Sequence, residues 1–303
     1  MMLKVELFGV KFENPVWTAS GTFGFGLEYA PYVDLNKVGA VCVKGLSIEP
    51  REGNEPPRIW ETPCGMLNAI GLQNPGVKYF VEKVLPELQN YKCRVIANIY
   101  GSTVEEYVAV AKELKGVSGV HAIELNISCP NVKKGGLAFG VDPVEAGKLT
   151  EAVKKNSDKP VIVKLSPNVT DITEIAKAVE SAGADAVSAI NTLLGMAIDI
   201  YKRKPKIKNR FGGLSGPAIK PVAVRMVYQV AKAVKIPVIG IGGISTWEDA
   251  VEFFLAGASA VQVGTANFYN PKAVEEIVSG LEKYLKEMGY SHISELVGDL
   301  KEE

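Results

Sequence analysis

Short runs of apolar and β-branched residues recur along the chain from residue 15 onward and alternate with longer amphipathic segments. Each run is almost continuously hydrophobic, which is typical of parallel strands that are covered on both faces. The pattern predicts eight β-strands, at residues 15–20, 40–45, 94–101, 122–128, 160–167, 186–192, 237–244 and 260–268.

Amphipathic helical patterns lie between most of these strands. Several begin at a Ser, Thr or Asp that can cap exposed N–H groups, and several stop near a glycine; they cover residues 103–117, 142–157, 171–184 and 245–258. Eight strand–helix units predict an α/β fold that closes into a (β/α)8 TIM barrel, with the active site at the C-terminal ends of the strands. A doubly wound sheet is the alternative. Residues 4–15 predict a small hairpin that closes the bottom of the barrel.

Two connections are longer than a barrel needs, at about residues 46–75 and 193–217. Both follow predicted strand C-termini, the face on which barrel active sites are built. Long ordered loops in a compact domain usually serve function or form an interface. Because no internal repeat or low-complexity linker interrupts the pattern, we expect residues 1–303 to form a single domain.

The composition narrows the class of protein. It is 47% hydrophobic and 22% charged, as expected of a globule with a large core. Lysine plus arginine equals aspartate plus glutamate at 34 each, so no overall field attracts nucleic acid or an anionic membrane. No run has the roughly 20 apolar residues of a membrane span, and the N-terminus does not resemble a signal peptide. We therefore expect a cytoplasmic protein with neither nucleic acid nor membrane as a partner.

The chain has four cysteines, none of them in a C-x-x-C pair, and two histidines. These counts argue against a zinc site and against an iron–sulfur cluster held by this chain alone, so we predict no metal. Cys42 and Cys93 lie in strand-like runs and are expected to be small buried hydrophobes. Six of the ten residues at 201–210 are Lys or Arg, which is typical of a solvated surface run or, alternatively, of an RNA contact.

Polar residues recur where predicted strands end. Lys44 and Lys164 lie at the ends of apolar runs, where a lysine is costly unless it is paired, so they favour an anionic ligand over simple extension to the rim. Asn98, Asn126 and Asn191 hold corresponding positions in three other strands. Asparagine disfavours strands, and its amide can both donate to and accept from a flat ring that has C=O and N–H groups. Local turns are the alternative explanation.

The last two predicted strands end in the glycine-rich stretches "GIGGIS" and "VGTANF". Glycines there allow backbone N–H groups to close around a phosphate, and the loops after strands 7 and 8 form the recurrent phosphate site of this fold. The stretches support a phosphorylated ligand without naming it. They leave open a phosphate-binding lyase or isomerase that uses no flavin.

Cys129 lies in "NISCPN", directly after an apolar run. From the residues alone, this thiol could pack before a proline turn, bind a metal or remove a proton from a substrate.

Several motifs together carry a resemblance. "SCPN", "EPREGNEPPR", "NAIGLQNPG", "AINT" and "GIGGI" followed by "VGTA" resemble the dihydroorotate dehydrogenases over nearly the whole chain. The resemblance implies an FMN-containing barrel that oxidises (S)-dihydroorotate to orotate in pyrimidine biosynthesis. It gives Cys129 the role of a general base, which takes the C5 proton while the C6 hydride passes to flavin N5.

The resemblance also implies a subtype. The membrane-bound branch uses a serine base and an N-terminal helix, so a cysteine at residue 129 resembles the soluble class 1. "NAIGLQN" is closer to the NAD-linked B subtype than to the fumarate-using A subtype, which is the alternative. The B subtype implies a partner subunit with FAD and a [2Fe–2S] cluster, around a homodimer core within a heterotetramer. A tRNA dihydrouridine synthase would need an RNA-binding domain for which this length leaves no room.

The family's site residues carry over to matching positions. The implied substrate-binding residues are Lys44, Asn68, Ala69, Ile70, Gly71, Leu72, Asn126, Asn131, Asn191 and Thr192. The implied FMN-binding residues are Ser20, Lys44, Gly45, Asn98, Asn126, Lys164, Ile190, Gly216, Gly242, Gly243, Gly264 and Thr265. Lys164 would stabilise the anionic reduced flavin at its N1–C2=O edge. Residues 131–140 are expected to form a lid, and the basic stretch at 201–210 is expected to contact the partner subunit.

Overall fold

The computed structural model describes residues 2–128 and 139–301. Eight parallel strands close a barrel in which each strand pairs with its neighbours in chain order. The barrel strands are β1 (Val16–Thr18), β2 (Ala40–Cys42), β3 (Arg94–Ile99), β4 (Ala122–Asn126), β5 (Val161–Lys164), β6 (Ala186–Ala189), β7 (Val238–Ile241) and β8 (Ala260–Val263). All eight predicted strands and the (β/α)8 barrel are confirmed, and the doubly wound alternative is wrong.

Helices cover the outside of the barrel. The long ones are α1 (Val104–Glu113), α2 (Pro143–Asn156), α3 (Ile172–Ser181), α4 (Lys220–Ala233), α5 (Trp247–Leu255) and α6 (Ala273–Met288). Contiguous short pieces follow β2 (Val77–Tyr79, Phe80–Val84 and Leu85–Leu88), and a short helix follows β8 (Ala266–Tyr269). Single 3-10 turns are found at Leu35–Lys37, Pro217–Ile219 and Ile293–Glu295.

Four of the six long helices begin where the sequence predicts, and the helices at Lys220–Ala233 and Ala273–Met288 were not among the predicted segments. The side chains of Thr103, Asp142, Asp171 and Thr246 each accept a hydrogen bond from a backbone N–H in the first turn that follows. Such caps satisfy donors that have no partner within the helix. The caps therefore fix where the chain leaves each loop at the mouth of the barrel and enters a helix.

The predicted N-terminal hairpin is confirmed, with Val5–Leu7 antiparallel to Val10–Phe12. Phe12 is buried beside Trp17, with ring centroids 4.6 Å apart, and Phe8 contacts Phe12 edge to face. The same apolar cluster contains the first residues of several barrel strands. The aromatic side chains therefore fill the N-terminal end of the barrel, which leaves the opposite end for a site.

The two long connections form a sheet that the sequence analysis did not predict. Four antiparallel strands pair in the order Leu193–Met196, Phe211–Ser215, Gly65–Asn68 and Ile59–Thr62. We call these four strands the insertion sheet. A two-stranded ribbon, Ile198–Asp199 with Lys204–Pro205, extends from it. These strands are short and two of them contain interior glycines, so the sequence shows no alternation of apolar and polar residues that would predict them.

Candidate active site

Polar side chains from neighbouring strands meet at the C-terminal end of the barrel. Asn126 ends β4 and lies in register with Lys164, which ends β5. Lys164 is in turn in register with Ser188 of β6. Residues in register on adjacent parallel strands are neighbours that face the same side of the sheet, so the predicted asparagine and lysine lie side by side at the C-terminal end of the barrel.

Lys164 is almost completely buried, with 5% of its surface exposed. Its Nζ lies 3.6 Å from Glu124 Oε1 and donates to Ser20 Oγ at 3.4 Å. From the sequence, a bound anion was expected beside this lysine. In the structure Glu124, a residue that the sequence did not single out, supplies a carboxylate from within the protein, and a bound anion stays a prediction.

Glu124 is fully buried in the middle of β4. Four side chains donate to its two oxygens, and they come from β2, β3, β6 and β8: Cys42 at 3.3 Å, Asn98 at 2.7 Å, Ser188 at 2.9 Å and Gln262 at 2.8 Å. Burial by itself raises the pKa of Glu124, but the charge of Lys164 and the hydrogen bonds outweigh it, so the pKa lies below its usual value. An acidic residue inside an apolar strand was the signal that could have revealed it.

Lys44 differs from Lys164 in its surroundings. It is half-buried, and within the described ranges no carboxylate lies within 4.0 Å of its ammonium. Burial, followed by the charge of Arg58, lowers the pKa of Lys44 below its usual value. A partly desolvated cation without a counter-ion makes this side of the mouth suited to an anionic ligand.

Asn98 presents an unused acceptor beside Gly45. Its amide nitrogen is bonded to Glu124, whereas its Oδ1 is buried and has no hydrogen-bond partner among the described residues. A Cβ at Gly45 would lie 3.0 Å from that oxygen and 3.4 Å from Leu72 Cδ2. Since buried polar atoms are normally paired, the oxygen is suited to accept from a ligand N–H.

The asparagines at the mouth form a chain of hydrogen bonds. Asn191 Nδ2 donates to Asn126 Oδ1 at 3.1 Å, and the backbone N–H of Thr192 donates to Asn191 Oδ1 at 2.8 Å. Tyr107 Oη donates to the backbone oxygen of Asn126 at 2.6 Å and holds the end of β4 in place. Asn126 Oδ1 therefore already accepts a hydrogen bond from Asn191, which orients the amide so that its N–H groups point away from Asn191.

Residues 68–72 connect the insertion sheet to the barrel mouth. Asn54 holds this segment by bonding to the backbone oxygens of Ala69 and Ile70. Gly71 has φ +75°, and a Cβ there would lie 2.6 Å from Asn54, so only glycine fits. The Leu72 side chain lies beside Gly45, where a Cβ would be 3.4 Å from Leu72 Cδ2. Among the described residues, no hydrogen bond links Asn68, Ala69 or Ile70 to either lysine.

Asn68 and Thr192 are both neighbours of Gly213, a glycine of the insertion sheet. Its Nδ2 donates to the backbone oxygen of Gly213 at 3.4 Å. A Cβ at Gly213 would lie only 2.1 Å from Thr192 Oγ1. The predicted substrate residues of the two insertions thus meet across Gly213.

The glycines predicted to hold a phosphate lie together after β6, β7 and β8. Gly216, Gly242 and Gly243 have φ of +96°, +132° and +77°, and Gly264 directly follows β8. A Cβ at Gly243 would lie 2.8 Å from the backbone oxygen of Gly216, and one at Gly216 would lie 3.6 Å from Thr265 Cγ2. The glycines therefore pack closely on one another, and their positive φ values are of the kind that lets backbone N–H groups form an anion-binding concavity.

Ile190 and Ser215 connect this glycine cluster to its surroundings. A Cβ at Gly242 would lie 3.5 Å from Ile190 Cγ1, so the cluster is continuous with the end of β6 at the barrel mouth. Thr265 Oγ1 donates to Ser215 Oγ at 2.7 Å. Ser215 was missed by the sequence analysis, since a single serine beside a glycine carries no distinctive signal.

Cys129 and Asn131 lie outside the described residues, as does the expected lid apart from its last two residues, Phe139 and Gly140. Their roles therefore stay predictions. Ser128 immediately precedes the cysteine, and a Cβ at Gly140 would lie 3.3 Å from Ser128 Cα. The two described flanks of this segment thus meet at the end of β4.

The described ranges contain neither a metal-binding cluster nor a membrane-spanning helix. No group of three or more His, Cys, Asp or Glu side chains there is placed to hold a metal ion. None of the helices in those ranges combines the length and apolar character needed to span a bilayer.

Comparison with known proteins identifies the family. A model of the family described as "Dihydroorotate dehydrogenase" matches residues 2–285. The chain is 58% identical to the dihydroorotate dehydrogenase B (NAD(+)) catalytic subunit of Thermoanaerobacter pseudethanolicus over 301 residues, 99% of each chain. It is 61% identical to the protein of that name from Desulforamulus reducens over 296 residues, 98% of this chain and 97% of the relative.

A relative from Aquifex aeolicus carries the provisional name dihydroorotate dehydrogenase A (fumarate). It is 56% identical over 300 residues, 98% of each chain. The family match covers most of the sequence, and the relatives align over almost their full lengths. The chain therefore belongs to the dihydroorotate dehydrogenase family of oxidoreductases.

Proposed function

We propose that this chain binds FMN at the barrel mouth and oxidises (S)-dihydroorotate to orotate in pyrimidine biosynthesis. The observation that carries the proposal is the convergence, in a member of this family, of a glycine cluster, an unused amide acceptor and an unpaired lysine at one end of the barrel. A lyase or isomerase on the same barrel is disfavoured by the family match.

The residues present fit FMN. Gly216, Gly242, Gly243, Gly264 and Thr265 would hold the phosphate through backbone N–H groups; the positive φ of Gly216, Gly242 and Gly243 supports this, because such turns can direct N–H groups into one anion-binding concavity. The residues that would hold the flavin ring are Ser20, Lys44, Gly45, Asn98, Asn126, Lys164 and Ile190. The orphaned Asn98 Oδ1 complements an N–H on such a ring. When bound, FMN supplies the acceptor for the hydride that leaves the substrate.

The substrate is a flat ring with a carboxylate and alternating C=O and N–H groups. Lys44 would pair with the carboxylate, since it lacks a protein counter-ion within the described ranges. Asn68, Asn126, Asn131, Asn191 and Thr192 would bind the ring edges, and residues 69–72 would close over it. The hydrogen-bonded chain from Thr192 to Asn126 supports this, because it holds two of the amides in fixed orientations.

Cys129 would act as the general base that removes the C5 proton. An ordinary thiol has a pKa of about 8.5, so a useful fraction is ionised near neutral pH when the thiol is held within reach of the proton. Its position three residues after Asn126 supports the role, since Asn126 is fixed at the end of β4.

An anaerobic titration with dihydroorotate, followed by flavin absorbance, tests the proposal. Bleaching of the yellow protein is the expected result. A yellow protein that does not bleach would reopen the substrate, and a protein that cannot bind FMN would overturn the proposal.

Replacing the base separates its role from cofactor binding. Cys129→Ser is expected to bind FMN with unchanged affinity but to reduce it at least tenfold more slowly at neutral pH, because a serine hydroxyl ionises far less readily than a thiol. Stopped-flow reduction of both proteins measures this. Equal rates would remove Cys129 from the role.

We further propose that the chain is a cytoplasmic catalytic subunit of the NAD-linked type, arranged as a homodimer within a heterotetramer. Its electrons would pass to a partner subunit that carries FAD and a [2Fe–2S] cluster. Relatives named as B-type catalytic subunits support this, whereas the Aquifex relative keeps the fumarate-linked type as the alternative. Affinity purification from the native host, followed by assays with NAD and with fumarate, distinguishes the two.

The partner would contact the insertion sheet and its ribbon. Their outer side chains form an exposed apolar group: Ile59, Trp60, Leu194, Met196, Ile198, Ile200, Tyr201 and Phe211. Exposed apolar patches of this kind are typical of protein interfaces. The basic stretch is less available than its sequence suggests, because Lys206 lies 4.2 Å over the Trp60 ring and Lys208 pairs with Glu55.

A further inference from the structure

Glu124 is the most highly coordinated charged group within the barrel. Four donors reach it from four other strands, and Lys164 approaches from a fifth. None of its atoms is exposed. It lies below the mouth and is not among the residues assigned to substrate or cofactor, so its effect on either must pass through the groups it holds.

A carboxylate can only accept hydrogen bonds, and this fixes the orientation of its neighbours. The amides of Asn98 and Gln262 must both turn their N–H groups toward Glu124, which leaves Asn98 Oδ1 and Gln262 Oε1 without partners in the described part of the chain. Asn98 thus presents an oxygen beside Gly45, where a ligand N–H is needed to satisfy it.

Glu124 also sets the charge at the end of β5. Its Oε1 lies 3.6 Å from the ammonium of Lys164, and both groups are buried. A buried cation at this distance from a carboxylate presents a much weaker positive field to a third group than an isolated lysine does. Lys44 has no such partner in the described ranges, so no protein carboxylate offsets its field in this way.

We propose that Glu124 is a positioning residue that tunes the reduction potential of the bound flavin, by partly neutralising Lys164 and by orienting the Asn98 amide. The inference rests on the proposed function, because it requires FMN at this mouth. Glu124 opposes the stabilisation of an anionic reduced flavin by Lys164. It therefore keeps the potential low, which favours passing electrons onward.

The test is the two-electron midpoint potential of FMN bound to Glu124→Gln. The substitution preserves shape but removes the negative charge, so the potential should move to a more positive value by about 30 mV or more. For a two-electron couple, that shift is a tenfold change in the ratio of reduced to oxidised flavin.

Ser188→Ala is the matched control. Ser188 is buried and donates to the same carboxylate at 2.9 Å, yet its removal leaves the charge in place, so the potential should not change. An equal shift in both variants would mean that the network acts only through packing, and would overturn the inference.

A second pair keeps the test decisive if Glu124→Gln does not fold. Lys164→Gln is compared with the double variant that also carries Glu124→Gln, in which no uncompensated charge is buried. The pair is compared at pH 9, because loss of the cation raises the pKa of Glu124 and the second substitution should raise the potential where that carboxyl is ionised. Unchanged potentials in FMN-loaded variants would overturn this inference alone, whereas a wild-type protein that does not bind FMN would overturn the proposed function.

Discussion

Replacing Lys164 by methionine should destabilise the protein because it leaves Glu124 charged and uncompensated inside the barrel. Methionine keeps most of the length and apolar surface of the lysine, so the main change is the loss of a cation 3.6 Å from a fully buried carboxylate. Lys44→Met is a matched control, because that lysine also ends an apolar strand but has no carboxylate within 4.0 Å among the described residues.

The magnitude follows from the geometry. At 3.6 Å and an effective dielectric constant of about 20, the attraction between the charges is about 5 kcal/mol. Part of this is offset because the lysine no longer has to be desolvated. The loss of stability also cannot exceed the cost of protonating Glu124, since the variant can fold with a neutral carboxyl. From an ordinary pKa of about 4.3, that cost is about 4 kcal/mol at pH 7 but about 1 kcal/mol at pH 5. We expect a loss of about 3 kcal/mol at pH 7.

The sign of the pH dependence can be derived from the same group. In the wild type the pKa of Glu124 is lowered, so its stabilising contribution is present above the ordinary glutamate pKa and is lost as the pH falls through the lowered value. In Lys164→Met burial is no longer opposed by that cation, so the pKa rises and the variant gains relative to the wild type on acidification. The difference in stability should shrink to about 1 kcal/mol near pH 5.

Thermal unfolding of the flavin-free proteins at pH 7 and pH 5 measures the effect. At about 2 °C per kcal/mol for a chain of this size, Lys164→Met should unfold about 6 °C lower at pH 7, whereas Lys44→Met should change by less than about 2 °C. A loss for Lys164→Met that equals that of Lys44→Met, or that does not change with pH, would refute the buried ion pair as its cause.

Two further predictions concern ligand binding. Arg58→Gln should raise the pKa of Lys44, because burial and then the charge of Arg58 lower it in the wild type. Since the Lys44 cation is lost as the pH rises through its pKa, orotate binding by the variant should persist to higher pH than binding by the wild type. Binding titrations between pH 7 and 10 that give the same pH dependence for both proteins would contradict this. Gly216→Ala should weaken FMN binding at least tenfold, because its Cβ would lie 2.8 Å from Gly65 Cα. Gly183 is the control position, because it has a similar φ of +92° and open space around a Cβ. Gly183→Ala should therefore cost about 1–2 kcal/mol of backbone strain yet leave FMN affinity unchanged in fluorescence titrations. If both variants lost the same affinity, backbone strain alone would be the cause.

The barrel could be predicted because each of its strands is a local signal. A run such as residues 237–244 is apolar and β-branched, and needs no knowledge of its neighbours to be recognised. The lysines and asparagines at the strand ends were found for the same reason. Their gathering at one end of the barrel follows from the parallel strand direction once a barrel is assumed.

The interior network could not be predicted in the same way. Glu124 is satisfied by Gln262, which lies 138 residues away in the sequence, and by side chains of three other strands. Each of these residues has an ordinary explanation by itself. Only their convergence shows that a carboxylate of the protein pairs with Lys164. From the sequence alone, that lysine was therefore expected to pair with a ligand. The roles of Cys129 and Asn131 stay predictions.

The insertion sheet has a consequence for how the molecule is made. It joins Asn68 to Gly213 across 145 residues of sequence, so its central pairing cannot form until β6 and the second insertion have been synthesised. Until then Gly65–Asn68 has an unpaired edge, which is a hazard for association with other chains. The predicted substrate residues that meet at Gly213 thus come together only after the second insertion has been made. Tight binding of orotate would therefore report that the two insertions have paired.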